Sequence, residues 1–179
     1  IYLVEGQPSL VAKIYTPRRR PPEEKLAWMV ANPPEDPTLA SQGHISIAWP
    51  RALLYDEKGE FAGFLMPFIR DTIPLLRVFT PKLRKQWAPT FSWRYLHRTA
   101  RNFASALSAI HARDYVVGDI NDGNVVVSTN ALITILDTDS FQVTARAQGA
   151  PHVFPCPVGV EEYTPGELQG ISFETQVRT

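Results

Sequence analysis

The sequence contains a single cysteine, Cys156, among its 179 residues. One thiol cannot form an internal disulfide or a cysteine-based zinc site, so we predict a reducing compartment, the cytoplasm. An excess of charge is also lacking, because 18 lysines and arginines balance 18 aspartates and glutamates. A neutral chain has no electrostatic reason to bind nucleic acid or an anionic membrane. Neither is therefore predicted as a partner of this segment.

Long hydrophobic runs are absent as well, since no stretch reaches the roughly 18 apolar residues of a transmembrane helix. Residues 1–6 have no charged region of the kind that opens a signal peptide. The sequence has no initiator methionine and begins within a strand-like run. These features predict a piece of a longer chain.

Apolar runs and turn residues predict a β-rich first part. Two β-hairpins are expected, with strands over 1–5 and 10–15, and over 52–55 and 61–69. Between the hairpins, residues 22–31 predict a short helix, because Glu23 and Glu24 suit the first turn of a helix. The prolines that follow Asn32 would end it.

The strongest helical pattern extends from Ser92, a candidate N-cap, to Arg113. Spacings of four and three residues place a set of apolar side chains on one face: Leu96, Ala100, Phe103, Leu107 and Ile110. Two short strands at 125–127 and 133–136 then predict a small hairpin.

Polar residues flank this small hairpin. Asp119 and Asn124 lie in the loop before its first strand, and Asp137 follows its second strand. A hairpin brings its two ends together, and clustered oxygen ligands suit Mg²⁺. Taken alone, the loop 118–124 is also compatible with an ordinary polar turn.

The order and spacing of these residues resemble those of protein kinases, in which a catalytic loop H-R-D-L-x-x-x-N precedes a metal-binding D-F-G. Here Asn124 follows Asp119 by five residues, and Asp137 comes thirteen residues later. Val11-Ala12-Lys13 is similar to the kinase V-A-I-K strand, and residues 159–167 resemble the end of a kinase activation segment.

More narrowly, the chain resembles bacterial kinase-like proteins that carry A-K-I-Y, A-N-P-P, G-F-L-M-P, G-D-I-N-x-x-N and L-D-T-D-S-F-Q. Some of these proteins occur with a metal-dependent phosphatase and a von Willebrand A-type protein, and others carry a helix-hairpin-helix tail. The resemblance implies ATP and Mg²⁺ as cofactors and a protein substrate as partner. A phosphatase and a von Willebrand A-type protein are further expected partners.

The fold implied by the resemblance is α+β, a two-lobed protein-kinase-like fold that is incomplete here. Residues 1–69 would form the N-lobe from its second strand to the hinge, without the glycine-rich loop. Residues 70–179 would form part of the helical C-lobe, with the long helix, the catalytic loop, the metal-binding hairpin and the activation segment.

The resemblance also implies catalytic roles. Lys13 would bind the α- and β-phosphates and be held by an acid of the short helix, Glu24 in preference to Glu23. Exposed helix-start glutamates are the alternative for both. Asp119 would orient the attacking hydroxyl or accept its proton.

Asn124 and Asp137 would bind the metal. Two roles are open for Asp139, that of a second metal ligand and that of a solvent-facing acid in the turn.

The nucleotide base would lie near the end of the second hairpin. Met66 would lie at the back of the adenine pocket, although for this methionine taken alone core filling is the favoured role. Residues from Pro67 to Ile69 would form the hinge, in which Pro67 offers only its carbonyl. Asn121 stands where protein kinases place a lysine near the γ-phosphate, which removes one positive charge.

The leading functional prediction is an ATP- and Mg²⁺-dependent phosphotransferase, a bacterial Ser/Thr protein kinase. Asn121 and the lack of a glycine-rich loop before Ile1 leave a pseudokinase scaffold as an alternative. Val117 and Gly118 stand in place of the kinase His-Arg, which argues against control by a phosphorylated activation loop. A small-molecule kinase similar to aminoglycoside phosphotransferases is a second alternative. The segment 159–167 favours a protein substrate over a small molecule.

Overall fold

The computed structural model describes residues 1–146 and 150–178. Residues 147–149 and 179, which belong to the predicted segment 70–179, lie outside the described residues. Within the described ranges the chain is mixed α/β, with three small antiparallel sheets. The strands are β1 (Tyr2–Leu3), β2 (Leu10–Ile14), β3 (Ala52–Tyr55), β4 (Phe61–Pro67), β5 (Thr72–Pro74), β6 (Tyr115–Val116), β7 (Val125–Ser128), β8 (Ile133–Ile135), β9 (Gln142–Ala145) and β10 (His152–Phe154). The helices are α1 (Glu23–Ala31), α2 (Leu39–Gln42), α3 (Leu75–Phe79), α4 (Pro81–Trp87) and α5 (Trp93–His111).

The first sheet has the strand order β1-β2-β4-β3 and contains both predicted hairpins. β4 ends at Pro67 and not at residue 69, after which the Phe68 N–H donates to the Ser9 carbonyl. Gly63 lies opposite Ile14, and a Cβ at this position would meet the carbonyl oxygen of Lys13. The glycine therefore allows β4 to approach β2 where Lys13 lies.

Helix α1 confirms the helix predicted over 22–31. It ends at Ala31, and the side-chain Nδ2 of the next residue, Asn32, donates to the Trp28 carbonyl at 2.9 Å before the two prolines. Its buried residues are Lys25, Leu26 and Met29. The helix packs against β3 and β9, so a lysine lies on its inward face.

Helix α5 confirms the predicted long helix, with two differences. Ser92 has an extended backbone before the helix, but its side chain makes no capping hydrogen bond. The most deeply buried positions are Thr99, Asn102, Ala106 and Ile110. The predicted apolar face is confirmed at Ile110, and Leu96, Phe103 and Leu107 pack against the buried core, but Ala100 is exposed. The most buried side of α5, which packs against β6 and β8, is offset towards Thr99 and Asn102, while Leu96 and Phe103 also line a groove of about 230 Å³ beside α3.

The other two sheets have the strand orders β5-β7-β8 and β10-β9-β6. Residues 44–48 extend along β8, where the Ile135 N–H donates to the Ser46 carbonyl and the Ala48 N–H donates to the Ile135 carbonyl, both at 2.9 Å. Only residues 49–51 separate this segment from β3. It therefore connects the end of β8 to the first sheet.

A single buried hydrophobic cluster includes side chains from all three sheets, such as Phe64, Ile133 and Val143. Trp49 and Tyr115 belong to this cluster, and their ring centroids are 4.8 Å apart in an edge-on arrangement. Of the helices that the structure describes, none is long and apolar enough to cross a membrane.

Candidate active site

The site is built around a contact between two distant segments. Lys13 lies in β2, and Asp137 lies just beyond the end of β8. The Lys13 Nζ is 3.2 Å from the Asp137 Oδ1, although the two residues are 124 positions apart. The structure therefore brings together two residues that the sequence singled out separately.

Asp139 also contacts Lys13. It lies in a 3₁₀ turn over Thr138–Ser140, which is anchored where the Thr138 hydroxyl donates to the Ala48 carbonyl at 2.9 Å. The Lys13 Nζ is 2.8 Å from the Asp139 Oδ1, and the Tyr15 hydroxyl donates to its Oδ2 at 2.6 Å. Asp139 is only 8% exposed. It is therefore not the solvent-facing turn acid that the sequence left open.

Lys25 reaches the same turn from helix α1. Its ammonium group donates to the backbone carbonyl of Asp139 at 2.8 Å, and the residue is buried. Burial lowers the pKa of Lys25 to about 8, and the like charge of Lys13 adds to this effect, against the opposite influence of Cys156 and Asp139. The lysine is therefore held at an energetic cost that its surroundings offset only in part.

The pKa of Lys13 is shifted in the opposite direction to that of Lys25. Burial alone lowers the pKa of Lys13, but the carboxylates of Asp139 and Asp137 outweigh burial and raise the pKa above its usual value. The pKa of the Tyr15 hydroxyl is also raised, by burial and by the negative charge of Asp139. Lys13 is therefore a firmly protonated cation, as a group that binds phosphate must be.

Asp119 is held by the side chains of its own loop. The Nδ2 groups of Asn121 and Asn124 donate to its two carboxylate oxygens, at 3.0 Å and 2.9 Å. Asn121 in turn accepts hydrogen bonds on its Oδ1 from the backbone N–H groups of Gly123 and Asn124. The carboxylate of Asp119 thus has a fixed orientation before any ligand binds.

Asn124 links this loop to the turn that carries Asp137. Its carbonyl accepts a hydrogen bond from the Leu136 N–H at 2.8 Å, and the next residue, Val125, pairs with Ile135 across the hairpin. Asn124 and Asp137 therefore flank the two paired ends of β7 and β8, as expected from the sequence.

The oxygen atoms at these ends are suited to a hard cation. Both hydrogen bonds of the Asn124 amide nitrogen go to Asp119, and within the described residues its Oδ1 accepts none. The Asp137 side chain is half-exposed. In the same ranges, no group of three His, Cys, Asp or Glu residues could hold a metal unaided. One carboxylate and one amide oxygen fit Mg²⁺, which takes its remaining ligands from phosphates and water.

The structure does not bring Glu24 to Lys13. Glu24 is exposed on α1, and Glu23 accepts a hydrogen bond from the Tyr55 hydroxyl at 2.8 Å. Consecutive helical residues differ by about 100° in direction, and α1 turns Lys25 inward instead. The expectation that a helix glutamate holds Lys13 is therefore corrected: its carboxylate partners are Asp137 and Asp139.

The residues predicted for the nucleotide base lie at the end of β4 and beyond it. Met66 pairs with Val11 in the sheet and packs against the hydrophobic cluster, and Pro67 is buried opposite Leu10. Ile69 is half-buried just after the strand. Their contact with a nucleotide stays a prediction.

Sequence reasoning did not identify Arg178 as part of this region. Its guanidinium donates to the Gly118 carbonyl, next to Asp119, and its backbone N–H donates to the Gln142 Oε1 at 2.7 Å. A Cβ on Gly118 would meet the Arg178 guanidinium and the Cys156 side chain. The sequence showed that Gly118 stands in place of the kinase arginine, but it gave no sign that Arg178, 60 residues later, contacts this glycine.

Comparison with known proteins identifies two similar bacterial sequences. No protein-family model matches the chain. It is 36% identical over 171 residues to Protein kinase YegI of Escherichia coli strain K12, and 37% identical over 161 residues to Protein kinase YegI of E. coli O157:H7. These alignments cover 94% and 89% of the chain, which spans only about a quarter of the length of these relatives.

Along most of its length the chain is therefore similar to one part of two bacterial proteins that are named as protein kinases. The mixed α/β architecture with small antiparallel sheets is compatible with a partial kinase-like fold.

Proposed function

We propose that this chain contributes the phosphate- and metal-binding site of an ATP- and Mg²⁺-dependent phosphotransferase, a bacterial Ser/Thr protein kinase. The observation that carries the proposal is the 3.2 Å contact between the Lys13 ammonium and the Asp137 carboxylate. A cation for phosphate oxygens beside a carboxylate for a metal is the arrangement that phosphoryl transfer requires. The kinase names of the relatives support the same activity.

Three side chains would hold the nucleotide phosphates and their metal. Lys13 would donate hydrogen bonds to phosphate oxygens, and Asp137 and Asn124 would supply oxygen ligands to the cation. Magnesium, when bound, neutralises the negative charge on the transferring phosphoryl group. Met66, Pro67 and Ile69 are proposed to lie against the adenine base.

Asp119 would accept the proton of the attacking hydroxyl. Its carboxylate is already oriented by the amide groups of Asn121 and Asn124, so little reorganisation is needed when the substrate arrives. Asn121 is neutral, and in this site its role would be to fix Asp119 and not to neutralise a phosphate.

The substrate proposed is a protein, on the basis of the segment 159–167. Tyr163 is exposed in this segment, and the Thr164 hydroxyl donates to the Val160 carbonyl at 2.9 Å. A metal-dependent phosphatase and a von Willebrand A-type protein are proposed as partners, from the resemblance described above.

The proposal is tested by calorimetric titration of the full-length protein with ATP, in the presence of Mg²⁺ and in the presence of EDTA. We expect binding that requires Mg²⁺ and that weakens by at least about tenfold in Asp137→Asn, equivalent to about 1.4 kcal/mol.

Asp114→Asn is a matched control, because Asp114 and Asp137 both have positive φ values (59° and 53°) and both are half-exposed members of an ion pair. Unchanged affinity in Asp137→Asn, or affinity lost equally in Asp114→Asn, would contradict the proposed metal site.

A pseudokinase is favoured by one specific observation, the neutral Asn121 at the position of a kinase lysine. The two functions are separated by incubating the protein with γ-labelled ATP and a mixture of candidate proteins. Transfer of label that is lost in Asp119→Asn supports the kinase, whereas Mg²⁺-dependent binding without any transfer supports the scaffold.

A further inference from the structure

We infer that Asp139 is the positioning residue for Lys13, and that helix α1 supplies a cation, Lys25, where a carboxylate was expected. This inference rests on the proposed function in one respect only, the assignment of Lys13 to phosphate binding. The placement of Asp139 and Lys25 around Lys13 is independent of that assignment.

The contacts divide the two acids near Lys13 into different roles. Asp139 is closer to the Lys13 Nζ than Asp137 is, at 2.8 Å against 3.2 Å. Asp139 has a side chain that is 9% exposed, whereas that of Asp137 is 53% exposed. An ion pair away from water is less screened and its geometry is more tightly defined. Asp139 is therefore the acid that orients Lys13, and Asp137 is the one that is open to a ligand.

The hydrogen bonds of Asp139 argue against its use as a metal ligand. Its Oδ1 accepts from Lys13 and its Oδ2 from the Tyr15 hydroxyl, so each carboxylate oxygen already has a protein donor. Both donors lie on the segment that contains β2 and the residue after it. The carboxylate is thus dedicated to holding the side chain of Lys13 in place.

Lys25 contacts the backbone of Asp139 and not its carboxylate. This leaves the carboxylate to Lys13, and it ties helix α1 to the turn that carries both acids. The cluster thus contains two cations, Lys13 and Lys25, and two carboxylates, Asp137 and Asp139, of which only Lys13 forms ion pairs with the acids. In the kinase pattern, an acid of the helix holds the lysine, and a glycine of D-F-G stands at the position of Asp139. Here the acid stands in the turn, and the helix presents a lysine instead.

The first experiment measures the reactivity of Lys13 without any nucleotide. The full-length protein is treated briefly with acetic anhydride near pH 8, and the acetylation of Lys13 is followed by peptide mass spectrometry. In Asp139→Asn we expect Lys13 to react measurably faster, because its ammonium group loses its closer and less exposed carboxylate partner.

Two variants serve as comparisons in this measurement. Asp114→Asn removes a negative charge elsewhere on the surface, and Glu24→Gln removes the helix acid first expected to hold Lys13. We expect both to leave the acetylation rate of Lys13 unchanged. The inference is overturned if Asp139→Asn reacts like Asp114→Asn, or if Glu24→Gln produces the larger increase.

The second experiment restores the acid from the helix. Asp139→Gly should accelerate acetylation of Lys13 and weaken the binding of Mg²⁺-ATP, and adding Lys25→Glu should reverse both effects by presenting a carboxylate from α1. Circular dichroism confirms that each variant is folded. A folded double variant in which Lys13 is still acetylated rapidly and Mg²⁺-ATP still binds weakly would contradict the inference that the acid at position 139 replaces a helix acid.

Failure of the inference can be distinguished from failure of the proposed function. If the wild-type protein binds no Mg²⁺-ATP, the proposed function is wrong, and the acetylation rates still decide whether Asp139 holds Lys13. If the wild-type protein binds Mg²⁺-ATP and Asp139→Asn binds it as tightly, Asp139 is not a positioning residue.

Discussion

At the scale of single residues, the least expected feature is a lysine buried within a helix. Lys25 is 2% exposed, and its ammonium group donates to one backbone carbonyl, that of Asp139. A buried charge is tolerated only where nearby groups compensate for its lost hydration. Here the compensation is incomplete, and for this reason the pKa of Lys25 is lowered to about 8.

The stability of the protein should therefore depend on pH through Lys25. Because its folded-state pKa is lowered from the ordinary value of 10.5, the unfolded state binds more protons between these two values, and Lys25 makes stability rise with pH. The rise is at most about 1.4 kcal/mol per pH unit. Urea unfolding of the wild type and Lys25→Met between about pH 7 and pH 10 measures it.

The comparison with Lys25→Met is needed because other groups titrate in the same range. Burial raises the pKa of the Cys156 thiol and raises that of Tyr115 to about 12, and both shifts lower stability at high pH in either protein. The wild type should gain stability relative to Lys25→Met as the pH rises. A constant difference across the range would show that Lys25 is not perturbed.

Asp119 permits a second prediction at this scale. In Asp119→Asn we expect Mg²⁺-ATP affinity to change little, because Lys13 and Asp137 are untouched and Asn124 keeps its hydrogen bond to the backbone carbonyl of residue 119. Phosphoryl transfer should fall by roughly 10²- to 10⁴-fold, the usual contribution of a general base. Steady-state kinetics with a phosphorylatable protein, beside calorimetry, checks both parts. A parallel loss of affinity and turnover would place Asp119 in nucleotide binding instead.

At the scale of elements, the segment 156–178 lies against the loop that precedes Asp119. The contact is made through Arg178, whose guanidinium donates to the Gly118 carbonyl, and through the buried Cys156. The approach requires a residue without a Cβ at 118. The glycine thus couples the last described segment to the loop that carries Asp119.

Gly118→Ala should therefore separate these two elements. Its Cβ would lie 2.5 Å from the Cys156 Cβ, and relieving such a clash costs about 1–3 kcal/mol. Hydrogen–deuterium exchange should show faster exchange over 156–178, with the sheet β1-β2-β4-β3 unchanged. Gly166→Ala is the control, because a Cβ there meets no atom within 4 Å. Equal exchange in both variants would contradict this coupling.

At the scale of the whole molecule, the described residues share one hydrophobic cluster. Trp49 lies within it, its Nε1 donates to the Met29 carbonyl of α1 at 2.8 Å, and its ring contacts Tyr115. The Tyr115 hydroxyl in turn donates to the carbonyl of Asn32, just after α1. These contacts connect residues on both sides of the division predicted between 1–69 and 70–179.

We therefore expect this chain to unfold in a single cooperative transition. Tryptophan fluorescence and far-ultraviolet circular dichroism, measured during the same urea titration, should give coincident curves. Phe64→Ala should shift both midpoints together, with a loss of about 3–5 kcal/mol for a buried phenylalanine. Two separate transitions would instead indicate that 1–69 and 70–179 unfold as independent units.

The sequence by itself determined the features that local spacing encodes, namely the secondary-structure elements and the order of the polar residues around them. Periodicity and turn residues are short-range properties, and they located both hairpins, α1 and α5 to within a few residues. The spacing of Asp119, Asn124 and Asp137 also pointed to one hairpin, because two strands joined by a short turn must bring their ends together.

The tertiary structure alone decided which side chains meet across the fold. Asp139 lies 126 positions from Lys13, and their pairing depends on how residues 44–48 attach β8 to the first sheet. Glu24 and Lys25 are neighbouring polar residues in the first turn of α1, and the resemblance to kinases favoured the acid. The choice between them was made by the phase in which α1 packs on β3 and β9, and that phase depends on burial and not on neighbouring sequence.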